Sequence, residues 1–134
     1  MNTQLKRTIL LAEDDSDDTF FFFDFLGHRT DVDLLPGVTN GVEVLDYLHS
    51  IAANDALPDV IILDQNMPKL SGIETLKAIR ANDRYARIAV VMYSTYVGPQ
   101  LAEECLTLGA TSVETKPVNR AGYNAMIDTI LSRL

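Results

Sequence analysis

The chain has 134 residues, 47% of them apolar and 22% charged, enough for one hydrophobic core and too few for two ordinary domains. A formal net charge of −8 and a pI near 4.5, with no basic run anywhere, argue against nucleic acid or an anionic membrane as partner, because phosphate contacts need clustered Lys and Arg. No apolar run approaches the roughly 18 residues of a membrane span, and a single cysteine, Cys105, leaves neither an internal disulfide nor a cysteine-built zinc site.

The N-terminal stretch MNTQLKRTILLAEDD holds an apolar run too short for an export signal, which points to the cytoplasm. The first strand is expected at Ile9-Leu10-Leu11-Ala12, followed by a helix over 16–28. A weaker strand at Val32-Asp33-Leu34-Leu35 leads to a helix over 40–53, which Asn40 is suited to start. Asn54 to Pro58 reads as loop before a third strand at Val60-Ile61-Ile62-Leu63, and the next helix, 72–82, sets Ile73, Leu76 and Ile79 along one side. The fourth strand, 88–93, precedes a helix over 97–108 with Leu101, Cys105 and Leu108 as its apolar stripe and Gly109 as its stop. Cys105 therefore reads as core filler. The last strand covers 112–115, and a final helix over 120–133 presents Met126, Ile127, Ile130, Leu131 and Leu134.

The first, third and fourth strands are nearly continuous in apolar character, as strands buried on both faces of a parallel sheet must be. Five alternations of strand and helix, joined by right-handed crossovers, predict an α/β fold of (βα)₅ type: a doubly wound parallel five-stranded sheet with helices on both faces. The whole of 1–134 is expected to be a single domain with no output domain.

In an open parallel sheet, ligands bind beyond the carboxyl ends of the strands. Here those ends are polar: Glu13-Asp14-Asp15, Asp64, Ser94 and Lys116-Pro117. Asp14 and Asp15 have two readings, since acids also favour a helix N-terminus, and Asp17 and Asp18 are assigned mainly to that role. Asp64 directly follows a buried apolar run, where an acid is unfavourable unless paired or metal-bound. Acids held close repel one another, and a hard divalent cation with oxygen ligands relieves that repulsion. A carboxylate can also act as the nucleophile in phosphoryl transfer, which needs a metal, a cation and a hydroxyl donor around the phosphoryl oxygens. Asp14 and Asp15 with Mg²⁺, Lys116 and Ser94 supply those parts.

LLAEDD, ILDQNMPKLSG, VVMYST and GATSVETKPV, in that order and covering essentially the whole chain, resemble the successive signatures of response regulator receiver domains. The resemblance implies a flavodoxin-like, CheY-like sheet of strand order 2-1-3-4-5. It implies Asp64 as phosphoacceptor, Asp14 and Asp15 as the acid pair at the Mg²⁺, and Asn66 as the residue giving it a backbone carbonyl. It further implies Ser94 as the hydroxyl that follows the phosphoryl group, Lys116 as the lysine paired with it, and a cis peptide bond before Pro117. Two positions depart from the family pattern. Val113 stands where many receivers carry a switching Tyr or Phe, and Thr95 is bulkier than the usual Ala or Gly.

The function so implied is a stand-alone receiver that takes a phosphoryl group from a sensor histidine kinase or histidine phosphotransfer protein and signals by binding a downstream protein, with a homodimer also open. The enzymatic rival is a phosphohydrolase of the haloacid-dehalogenase type, whose DxDxT loop is spelled by Asp15 to Thr19. A third reading is an interaction module with the same fold and no phosphorylation. A DNA-binding regulator is disfavoured by the charge and by the lack of a helix-turn-helix segment after residue 119. In the first helix, Phe22, Phe23 and Leu26 share one arc beside Thr19, while Phe20, Phe21 and Phe25 are expected to point outward with Asp24 as an aromatic docking patch.

Overall fold

The computed structural model describes residues 6–134; the first five residues, which carry part of the reading of the N-terminus, lie outside them. Ten elements alternate along the chain: β1 Arg7–Ala12, α1 Ser16–Leu26, β2 Val32–Leu34, α2 Gly41–Ser50, β3 Val60–Asp64, α3 Gly72–Arg80, β4 Ala89–Ser94, α4 Pro99–Thr107, β5 Ser112–Thr115 and α5 Arg120–Ser132. All neighbouring strands pair in parallel in the order β2-β1-β3-β4-β5, so the expected topology holds. A short 3-10 turn at Asp83–Tyr85, not expected from periodicity, buries the Tyr85 ring between α3 and β4.

The three central strands alternate strictly. Ile9, Leu11, Val60, Ile62 and Val91 point to one face, where Phe22 and Leu26 of α1 and Tyr123, Ile127 and Ile130 of α5 cover them. Leu10, Ala12, Ile61, Leu63, Val90 and Met92 point to the other, against Val44 and Leu48 of α2, Leu76 and Ile79 of α3, and Cys105 of α4. Each fully buried Leu or Ile side chain stabilises the fold by about 1.5–3 kcal/mol, and the two layers together leave both faces of the sheet dry. Leu134 is the exception to the expected α5 stripe: the helix ends at Ser132 and this residue is exposed.

Helix ends follow local chemistry. Asp15, Asn40, Ser71 and Asn119 each cap the helix that follows with a side-chain oxygen, and Ser71 with Glu74 completes a capping box. Gly109, at φ +104°, ends the α4 region as expected. The first helix stops at Leu26 rather than 28, and Arg29 beyond it is drawn away by Asp31, Asn124 and Asp128. Gly72 lets α3 begin directly over the end of β3: a Cβ there would stand 2.5 Å from the Asp64 carbonyl oxygen and 2.6 Å from Met92 Cε.

Two expectations are corrected. Among the described residues there is no cis peptide bond, so Lys116–Pro117 is trans. The Lys116 N–H continues the β4–β5 ladder to the Ser94 carbonyl at 2.8 Å, and the chain turns into α5 at the extended Asn119, so the trans form that an X–Pro bond ordinarily favours suffices. Phe25 does not point outward. Its ring tilts onto Tyr123 of α5 at 5.5 Å under the Arg120 guanidinium, because α5 packs alongside α1 and reaches a ring that helical geometry alone places outside. Phe22 is buried, Phe23 half-buried, and Phe20 and Phe21 remain exposed at 62% and 41%.

Candidate functional site

The period of two along each strand decides what stands at the sheet edge. Continuing Ile9 and Leu11 by two brings Glu13 to the face covered by α1 and α5, and Val60 and Ile62 bring Asp64 to that same face. Tyr93 lies opposite Asp64 in register on β4, again on this face. The carboxylates of Glu13 and Asp64 are therefore buried side by side under Tyr93, with Lys116 reaching in from the end of β5.

Lys116 Nζ lies 2.9 Å from Glu13 Oε1, 3.0 Å from Asp18 Oδ2 and 3.4 Å from Asp64 Oδ2. The Tyr93 hydroxyl donates to Glu13 Oε1 at 2.6 Å, and the Asp15 N–H donates to Glu13 Oε2 at 3.1 Å. Burial pushes the Asp64 carboxyl up to about 6, with the Glu13 carboxylate adding to the rise. Burial pushes Glu13 the same way, but its contacts with Asp64, Tyr93, Lys116 and the Asp15 N–H outweigh that, and it is held below the usual carboxylate range. Burial alone would lower Lys116, and Glu13 and Asp18 overcome this and raise it. Of the two buried acids, Asp64 is the one that takes a proton more readily.

Above this pair opens a cleft of about 480 Å³ lined by Asp14, Asp15, Ser16, Asp18, Asp64, Asn66, Thr95 and Lys116. Five of the expected site residues, Asp14, Asp15, Asp64, Asn66 and Lys116, thus share one cavity. Ser94 is buried at the end of β4, directly behind Thr95, and its carbonyl holds the Lys116 N–H. Asp15 also serves α1, since its Oδ1 accepts the Asp18 N–H at 2.9 Å and caps that helix. Three residues of the site were not singled out by the sequence. Glu13 was readable by counting in twos from Leu11, Tyr93 by counting in twos from Val91, and Asp18 carried no signal apart from its helix-start position.

Among the described residues no three acids converge into a ready-made metal cage. The donors present are nonetheless hard oxygens facing an open cleft, set above two crowded carboxylates. That fits Mg²⁺, which keeps several waters and takes only one or two carboxylates from the protein. The arrangement does not fit the phosphohydrolase alternative. Asp17, the second acid of that DxDxT spelling, is an exposed first-turn residue that does not line the cleft.

Comparison with known proteins agrees with this geometry. The family model of the response regulator receiver domain matches residues 9–128. The phosphorylated cyanobacterial phytochrome response regulator RcpA is similar in structure, with a TM-score of 0.79 and 29% identity over 93% of this chain and 91% of that one. The Mn²⁺-bound form of response regulator Rcp1 gives 0.77 and 29% over 94% and 92%. A protein-glutamate methylesterase/protein-glutamine glutaminase of Clostridium acetobutylicum is 32% identical over 111 residues, 83% of this chain but 31% of that protein. The chain thus spans under a third of that relative's length. With the sheet order, the strand-end residues and a family match over most of its length in agreement, the chain belongs to the response regulator receiver domain family.

Proposed function

We propose that Asp64 accepts a phosphoryl group from a histidine-phosphorylated partner, a sensor histidine kinase or a histidine phosphotransfer protein, and that the phosphorylated chain signals by binding another protein. The observation that carries this reading is the position of Asp64: a carboxylate at a buried strand end, open on one side to an oxygen-lined cleft, with the Lys116 ammonium 3.4 Å away. The reading is supported by relatives named as phosphorylated and as Mn²⁺-bound.

In the transfer, an Asp64 carboxylate oxygen forms a bond to phosphorus while the P–N bond to the donor imidazole breaks, the electron pair passes to that nitrogen, and a proton restores the neutral ring. Lys116 and the Ser94 hydroxyl take the phosphoryl oxygens, the first by charge and the second by hydrogen bonding. Mg²⁺, when bound, neutralises charge on the phosphoryl oxygens and on the acids around them. Asp14, Asp64 and the Asn66 carbonyl would hold it, with Asp15 offering the oxygen its helix cap leaves free. The chain is not itself an enzyme in this reading; it acts in the cytoplasm as a monomer or a homodimer. No helix among the described residues is long and apolar enough to cross a membrane.

The test is intact mass after incubation with acetyl phosphate and Mg²⁺. One phosphoryl group on the wild type, absent from Asp64→Asn and from EDTA-treated protein, is the expected result. A mass gain that persists in either control sinks the assignment.

A further inference from the structure

The Lys116 ammonium has three N–H donors and three carboxylates around it, but they are not equivalent. The contacts to Glu13 and Asp18, at 2.9 and 3.0 Å, are of hydrogen-bond length, and the contact to Asp64, at 3.4 Å, is the longest. Glu13 cannot release or follow the lysine. Its side chain is fully buried, Oε1 also accepts the Tyr93 hydroxyl, and Oε2 is held by the Asp15 N–H. Asp18 is a different kind of partner. It stands in the first turn of α1 at the rim of the cleft, is partly exposed, and its carboxylate makes no other hydrogen bond among the described residues. The start of α1 does not need it either, since Asp15 supplies the cap.

Lys116 itself is confined. Its side chain is 11% exposed and its ammonium lies 5.1 Å from the centroid of the Tyr93 ring, so the swing left to it is a short one between Asp18 and Asp64. We propose that Asp18 is a positioning residue that holds Lys116 in a resting place on α1, and that this contact must be exchanged for a phosphoryl oxygen when Asp64 is modified. The inference rests on the reading of Asp64 as phosphoacceptor. A phosphoryl group brings several charged oxygens into the cleft, and a single half-exposed carboxylate is the contact that gives way. The exchange also unties β5 from α1, 98 residues away in sequence, next to exposed Phe20 and Phe21, so the state of Asp64 is felt on that helix.

Isothermal titration with Mg²⁺ and beryllofluoride, which mimics a phosphoryl group on a carboxylate, tests this. Asp18→Asn should bind beryllofluoride about threefold more tightly than wild type, the scale of one partly exposed ion pair. Asp17→Asn removes the same charge from the same helical turn without touching Lys116 and should stay at the wild-type value. In a Lys116→Ala background the gain from Asp18→Asn should vanish, because only the coupling between the two side chains is in play. Asp18→Ser repeats the comparison if the asparagine variant folds poorly. Wild-type binding with no gain in either Asp18 variant, or an equal gain in Asp17→Asn or in the Lys116→Ala background, overturns the tether alone. A wild type that binds no beryllofluoride overturns the phosphoacceptor reading and the tether with it.

Discussion

The Tyr93 hydroxyl, on β4, donates to Glu13 Oε1 at the end of β1 across 2.6 Å, in a site closed to solvent. This bond fixes the carboxylate that in turn anchors Lys116, so a tyrosine with no acid–base part in the site sets where its cation stands. Replacing the hydroxyl while keeping the ring isolates the effect. Tyr93→Phe should lower stability by about 1.5–3 kcal/mol, the range for a hydrogen bond to a charged group, as read from urea denaturation. An unchanged midpoint would show that Glu13 needs no such anchor.

The metal prediction separates Asp14 from Asp15. Wild type should melt at a higher temperature as millimolar Mg²⁺ is added, by mass action on the folded state. Asp14→Asn should lose most of that response. Asp15→Ala should melt lower with or without the metal, because it removes the α1 cap at a cost of about 1 kcal/mol, while keeping more of the Mg²⁺ response than Asp14→Asn. The reverse order of the two responses would make Asp15 the principal ligand.

Away from the site, Arg29 forks onto both oxygens of Asp31 at 2.9 and 2.8 Å and also reaches Asp128 at 2.7 Å, tying the start of β2 to α5. The Arg29 bonds hold the Asp31 carboxyl below its ordinary value of 3.8. A depressed carboxylate contributes stability that is present above the unfolded value and is lost as pH falls through the folded one. Asp31→Asn should therefore be less stable than wild type by up to about 1 kcal/mol near neutral pH, the upper end for a partly exposed ion pair, and the gap should shrink as pH falls below about 3.8. Urea titrations of both proteins at several pH values check the sign; a gap that widens in acid contradicts it.

The aromatic run of α1 divides into two kinds of ring. Phe25→Ala should destabilise the fold by roughly 1–3 kcal/mol, since its ring rests on Tyr123 and Arg120. Phe20→Ala, at a ring 62% exposed, should stay within about 0.5 kcal/mol of wild type. Thermal melts of the two variants decide the point, and similar losses would place Phe20 in the core as well.

These contrasts mark what could be read before folding. The alternation of apolar runs and helical stripes was enough for (βα)₅, for all ten strand and helix positions to within a few residues, and for the convergence of Asp14, Asp15, Asp64 and Lys116 at one edge, because strand and helix periods are local properties of the chain. Resemblance to receivers added the strand order and Asn66, which lines the cleft. Glu13 was passed over although its parity with Ile9 and Leu11 was visible, since three successive acids offered no local reason to choose among them.

What only the tertiary structure decided are relations between distant segments. Phe25 is covered because α5 lies beside α1, and Asp18 is joined to Lys116 because the lysine side chain reaches in from the end of β5 to the first turn of α1. Each of these depends on where two elements remote in sequence come to rest. Periodicity assigns a residue to a face of its own strand or helix, but which residue of another element it then meets follows from packing the whole sheet and its helices together.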